Sequence, residues 1–164
     1  MHSSGTKHWQ AVKRIFCYFS GTRHLGLFYP KGGSLPPDLH AFSDSNWADC
    51  YDTHMSTSGF CFMLGSSCIS WLSKKQPTVA TSSCEAKYRA AFTATTECVW
   101  LRRLMAYLDV GQDSPTTIYI DSQSALVVAR NPIFHSPTKH IEVHYHYVRE
   151  RLSIQEISLM YVPT

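Results

Sequence analysis

The sequence has no long apolar run, no CxxC pair, no internal repeat and no low-complexity tract. No apolar stretch approaches the roughly 18–20 residues of a membrane helix, which excludes a transmembrane segment. The opening Met1-His2-Ser3-Ser4-Gly5-Thr6 has no apolar core, so a signal peptide is not expected. The chain is expected to be intracellular, cytoplasmic or nuclear, and not secreted. Its six cysteines, Cys17, Cys50, Cys61, Cys68, Cys84 and Cys98, show no zinc-like spacing, and several lie in apolar runs. They read as buried free thiols of a reducing compartment. A charge excess is also lacking. With 15 basic against 12 acidic residues the net charge is only +3, which permits a nucleic-acid partner without arguing for one.

What is present is a globular balance. The 164 residues amount to about one domain, and 44% hydrophobic residues are enough to build a core without staples. Residues 7–19 read as a short helix with Trp9, Val12, Phe16 and Phe19 near one face. The Pro- and Gly-rich stretch 30–38 marks a turn or linker and the best internal boundary. Leu39–Ser45, Phe60–Leu64 and Ile69–Ser73 read as strands, the last two joined at Gly65-Ser66-Ser67. Residues 84–108 carry the strongest helical period, through Ala90, Ala94, Cys98, Leu101, Met105 and Leu108. Ser82 and Glu85 form an S-x-x-E capping box at its start, and Gly111 follows its end. Thr117–Ser122 is a strand, Gln123–Arg130 a helix stopped by Asn131-Pro132, His140–Leu152 a helix, and Ile157–Val162 a final strand. The order is that of a mixed α/β domain.

Acidic residues are few, so their positions are informative. Asp44 lies near the end of the first main strand, Glu85 in the first turn of the long helix, and Asp121 at the end of the strand after it. If those strands are neighbours, three carboxylates converge at one sheet end. Such a cluster needs a cation, and hard oxygen donors suit Mg²⁺ or Mn²⁺. Two ions can clamp the attacking and leaving oxygens of a phosphodiester. Each residue also has a plainer reading. Glu85 serves the capping box, Asp121-Ser122 a strand-to-helix cap, and Asp44-Ser45-Asn46 a turn.

Longer words narrow these alternatives. SDSNWADC (43–50), STSGFCFMLGSSCISWLSKKQPTVATSSCEAKYRA (56–89), IYIDSQSALVVARNPIFHSPTKHIEV (118–143) and YVPT (161–164) resemble the ribonuclease H domain of copia-type LTR retrotransposon Pol polyproteins. KHWQAVKRIFCYFSGTRHLGLFY (7–29) resembles the segment joining reverse transcriptase to that domain. The resemblance implies residues 1–37 as a connector and 38–164 as a ribonuclease H-like domain, a five-stranded mixed sheet flanked by helices. It implies metal-dependent endonucleolytic hydrolysis of the RNA strand of RNA–DNA hybrids, with Asp44, Glu85 and Asp121 as catalytic metal ligands for two Mg²⁺ or Mn²⁺ ions. Asp44 would bridge the ions. The hybrid and the polyprotein's reverse transcriptase are the partners implied; a membrane is not, and the oligomeric state is open.

The family pattern continues past YVPT into a helix carrying a fourth carboxylate, so a truncated domain with an incomplete second ion site and weakened activity is expected. That loss would also expose apolar surface on one flank of the sheet. Asn46 and Cys84 stand where Asp and Thr are common. The alternative function is an inactive remnant that binds nucleic acid or protein; a third possibility is an unstable product. Lys74 and Lys75 are candidates for phosphate contact, as are Arg102 and Arg103. Ser122 and Gln123 are candidates for a minor-groove contact to the 2′-hydroxyl. Trp47 and Trp71 read as core residues, with base stacking as the rival. His140 and His144 have a zinc-compatible i, i+4 spacing but no evident third ligand.

Overall fold

A computed structural model describes residues 5–31, 38–130 and 139–163; the side chains of 139–142 are outside the description. The elements run α1 (Thr6–Gly21), β1 (Leu39–Asn46), β2 (Thr57–Leu64), β3 (Ser67–Lys75), α2 (Ser83–Tyr107), β4 (Thr116–Ile120), α3 (Gln123–Arg130), α4 (Lys139–Ser153) and β5 (Ile157–Tyr161). The strands form one mixed sheet in the order β3-β2-β1-β4-β5. The β1–β2 and β2–β3 pairs are antiparallel, the second through the tight turn 65–66; β1–β4 and β4–β5 are parallel and need helical crossovers.

Alternation along the strands assigns the two sheet faces. Leu39, Ala41, Phe60, Phe62, Ile118, Ile157 and Leu159 are buried against α2, α3 and α4. Phe60 and Phe62 meet edge to face at 5.4 Å, a contact of about 0.5–1.5 kcal/mol beyond their area. The periodic face of α2 supplies Ala90, Ala94, Cys98, Leu101 and Met105 to the core. Leu108 departs from the expected pattern. It is the C-cap and is 60% exposed.

The other face carries a row that crosses all five strands. Register aligns Trp71 with Cys61, Cys61 with Phe42, Phe42 with Tyr119, and Tyr119 with Met160. Phe42 and Tyr119 stack at 5.2 Å, while Trp71, Phe42 and Met160 are exposed. Apolar surface on one side of the sheet is therefore present among the described residues.

Helix ends account for two differences from expectation. Ser82 caps α2, its Oγ accepting the Glu85 N–H at 3.1 Å. The Glu85 carboxylate does not return to the cap residue; it accepts from the Thr81 N–H at 2.8 Å. At the other end, Asp109 (φ 57°) takes the left-handed position expected of Gly111. The Val110 N–H bonds to the Met105 carbonyl and the Asp109 N–H to the Ala106 carbonyl, the two bonds of a Schellman motif. Asp tolerates this backbone better than most residues with a Cβ, so glycine is not needed there.

The α1 helix forms over the expected span, but none of its residues is buried. The segment after it is tied to β3 by Tyr29 Oη donating to the Cys68 carbonyl (2.8 Å) and Ser67 Oγ donating to the Phe28 carbonyl (3.0 Å). Most of the expected linker, residues 32–37, and the Asn131-Pro132 stop lie outside the described residues. The thiols are free, but only Cys98 is buried; Cys17 is exposed and the others are half-buried. Of the half-buried thiols, Cys50 lies in the loop after β1, Cys61 in β2, Cys68 in β3 and Cys84 in the first turn of α2. Trp47 and Trp71 also differ from a core reading. Both are more than half exposed, with Trp47 Nε1 donating to the Ala80 carbonyl.

Candidate active site

Parallel pairing brings the first and third carboxylates together. Ser43 of β1 pairs with Ile120 of β4, so the next residues, Asp44 within β1 and Asp121 just past the end of β4, lie side by side. On the antiparallel side Asp44 faces Gly59, which has no side chain to cover it. A cleft of about 350 Å³ lies here, lined by Asp44, Gly59, Tyr119 and Asp121 among others. Asp44 is 56% exposed and Asp121 13%.

The charge between them is the ammonium of Lys87, from the second turn of α2. Its Nζ lies 3.1 Å from Asp44 Oδ1 and also hydrogen-bonds Asp121 Oδ2. Asp44 Oδ1 additionally accepts the Ser45 N–H at 2.6 Å. Burial alone would push the Lys87 pKa down, but the two carboxylates outweigh it and raise it.

Glu85 is held elsewhere. Its carboxylate accepts from Arg89 Nη2 at 2.5 Å and from the N–H and Oγ1 of Thr81. Arg89 Nη1 in turn bonds the Thr78 carbonyl and hydroxyl. Burial raises the Glu85 pKa, but the Thr81 hydrogen bonds and the Arg89 guanidinium prevail and hold it below its ordinary value. The structure thus brings Asp44 and Asp121 together and anchors Glu85 on the other side of its helix turn. Among the described residues, no group of three or more His, Cys, Asp or Glu is gathered closely enough to hold a metal ion. The Asp44–Asp121 pair fits a divalent cation in donor chemistry. Its oxygens are hard, and Asp121 Oδ1 is buried without a hydrogen-bond partner. Mg²⁺ commonly uses one or two carboxylates and keeps several waters.

The remaining candidates divide by accessibility. Lys74 and Lys75 are exposed at the end of β3 and line a cleft of about 700 Å³ that also includes Arg89, Phe92 and His144. Lys75 Nζ lies 2.8 Å from Cys50 Sγ, and this contact, with smaller ones from Thr53 and the Asp52 backbone, lowers the thiol's pKa to about 7. Ser122 is buried as the cap of α3, its Oγ accepting the Ala125 N–H, whereas Gln123 is exposed. Arg102 is engaged internally with the Gln112 and Ser114 carbonyls, and Arg103 is exposed. His144 stacks on Phe92 at 3.9 Å; the His140 side chain lies outside the described residues, so the zinc pairing does too.

Sequence spacing passed over Lys87 and Arg89. The Glu85–Arg89 pair had a usable signal, an i, i+4 Glu-to-Arg spacing on a helix. Lys87 had none, because its partners come from two strands distant in sequence.

No protein-family model matches the chain. Over all 164 residues it is 39% identical to the retrovirus-related Pol polyprotein from transposon RE2 of Arabidopsis thaliana, covering 11% of that protein. The chain therefore spans about a tenth of the length of that relative. In fold it is similar to LC11-RNase H1, isolated from compost (TM-score 0.55, 11% identity, 77% of this chain and 85% of that one). It is also similar to the foamy viral protease-reverse transcriptase solved in complex with an RNA/DNA hybrid (TM-score 0.54, 15% identity, 85% of this chain and 19% of that one). Its homologues over the whole chain are Pol polyproteins of copia-type retrotransposons, and its fold is that of ribonuclease H.

Proposed function

We propose that this domain is a divalent-metal-dependent endonuclease acting on the RNA strand of RNA–DNA hybrids, leaving a 3′-hydroxyl and a 5′-phosphate. The observation that carries the reading is the Asp44–Asp121 pair, set side by side by parallel strands and meeting at one cationic position. Asp44 and Asp121 would hold a Mg²⁺ or Mn²⁺ ion, and Glu85 would join them on leaving Arg89. A bound ion would activate water and neutralise charge developing on the phosphate. Lys74 and Lys75 would bind backbone phosphates, and the exposed Gln123 would be available to the minor groove. Ser122 would act by fixing the start of α3 behind Asp121. The foamy viral relative in fold was solved with an RNA/DNA hybrid, which supports the substrate class by analogy. Within a Pol polyprotein, the partner would be the reverse transcriptase that produces the hybrid.

The test is cleavage of a labelled hybrid in Mg²⁺ or Mn²⁺. Asp44→Asn and Asp121→Asn are expected to lower the rate at least about a hundredfold, the scale of losing one preorganised charge contact. Undiminished cleavage in either variant would refute the assignment. Hybrid binding without turnover is the second reading, favoured by the Glu85–Arg89 pair, and the same assay separates the two.

A further inference from the structure

Two carboxylates on adjacent strand ends repel unless a positive charge lies between them. Two cations of neighbouring elements are engaged elsewhere. Arg89 is committed to Glu85 and Thr78, and Lys75 to Cys50 and Thr53. Lys87 alone among the described residues is bonded to both Asp44 and Asp121. Its side chain is only 22% exposed, so the ammonium sits within the site rather than in solvent above it. Asp44 Oδ1 and Asp121 Oδ2 are the oxygens that Lys87 occupies, while Asp121 Oδ1 remains buried and unpaired.

A divalent ion on Asp44 and Asp121 would need oxygens that the ammonium now uses, and two cations cannot share so small a space without repulsion. The four-carbon stem gives lysine a way out, because its head can swing to solvent while the stem stays on the protein. We propose that Lys87 is a tethered counter-ion that holds the carboxylate pair in the metal-free state and yields to a divalent cation. Lys87 thereby sets the ion affinity of the site. This rests on the reading of Asp44 and Asp121 as metal ligands. It makes Lys87 a regulatory residue, one that acts through the carboxylates rather than on a substrate.

The experiment measures ion binding, without substrate. Mn²⁺ is titrated calorimetrically into the full chain, into Lys87→Met and into Asp121→Asn. Lys87→Met is expected to bind roughly tenfold tighter than the parent, within the usual range of coupling between two binding events. In parallel, acetic anhydride labelling of the unsubstituted chain is read by mass spectrometry. Lys87 is expected to be protected in chelator and labelled when Mg²⁺ is saturating. Equal or weaker Mn²⁺ binding by Lys87→Met, with binding lost in Asp121→Asn, overturns the counter-ion role and leaves the metal reading standing. Absence of Mn²⁺ binding in the parent and in Lys87→Met overturns both. If Lys87→Met does not fold, the labelling decides: a rise with Mg²⁺ supports the proposal and an unchanged yield overturns it.

Discussion

Glu85 has two jobs that its position at a helix start had merged into one. It was expected to close a capping box, but its carboxylate is held by Thr81 and Arg89, and only its backbone N–H meets the cap. The ion pair is mostly buried, with side chains 8% and 14% exposed. Removing one partner leaves the other charge uncompensated. Arg89→Met is therefore expected to cost about 3 kcal/mol at neutral pH, measured by urea unfolding. The sign of the pH dependence follows from the lowered Glu85 pKa. A depressed carboxyl stabilises the fold above its ordinary value of 4.5, and that contribution is lost as pH falls through the lower folded value. Arg89→Met should flatten this acid limb of the stability curve. A variant as stable as the parent, with the same acid limb, would show that Thr81 alone suffices.

At the scale of elements, strand and helix types were legible because each has its own hydrophobic period. Trp71 and Leu108 show where that reading fails. Each is apolar and in phase with its element's pattern, yet each is exposed, one on the outer sheet face and one at a helix terminus. Periodicity tells which residues share a face but not whether anything covers it. The end of α2 was legible to within one residue, but its left-handed position was expected two residues late, at Gly111, because a left-handed Asp109 was not anticipated. Asp109→Gly is expected to stabilise the protein by about 0.5 kcal/mol, since glycine adopts this backbone without a Cβ clash. A shift in the urea midpoint at constant m-value checks it; a loss of stability would mean that the Asp109 side chain contributes something the φ angle does not reveal.

For the whole molecule, periodicity could not give the sheet order; the resemblance implied a five-stranded mixed sheet, and the order itself came only with the structure. That order decides which carboxylates meet. It also makes the row from Trp71 to Met160 continuous, giving the domain one face that is wet and apolar. A hydrophobic dye such as ANS should bind the native chain. Trp71→Ser or Met160→Ser should weaken that fluorescence while shifting stability by less than about 0.5 kcal/mol, as exposed sites usually do. Dye binding that is unchanged in both variants would point to α1 as the source, since its aromatic face is exposed as well.

The parallel junction between β1 and β4 also has a kinetic side. The β1–β2–β3 meander closes through contacts between elements adjacent in sequence, by the loop 47–56 and the tight turn 65–66, so it can form early and locally. The β1–β4 pair has to wait for the long crossover through α2, which makes it a contact of high sequence separation and slow closure. Lys87 travels on that crossover. The helix that must dock before the two aspartates can meet delivers their neutralising charge in the same step. Assembly of this sheet therefore has an internal source of compensation, and its folding rate should be insensitive to the divalent ions in the surrounding solution.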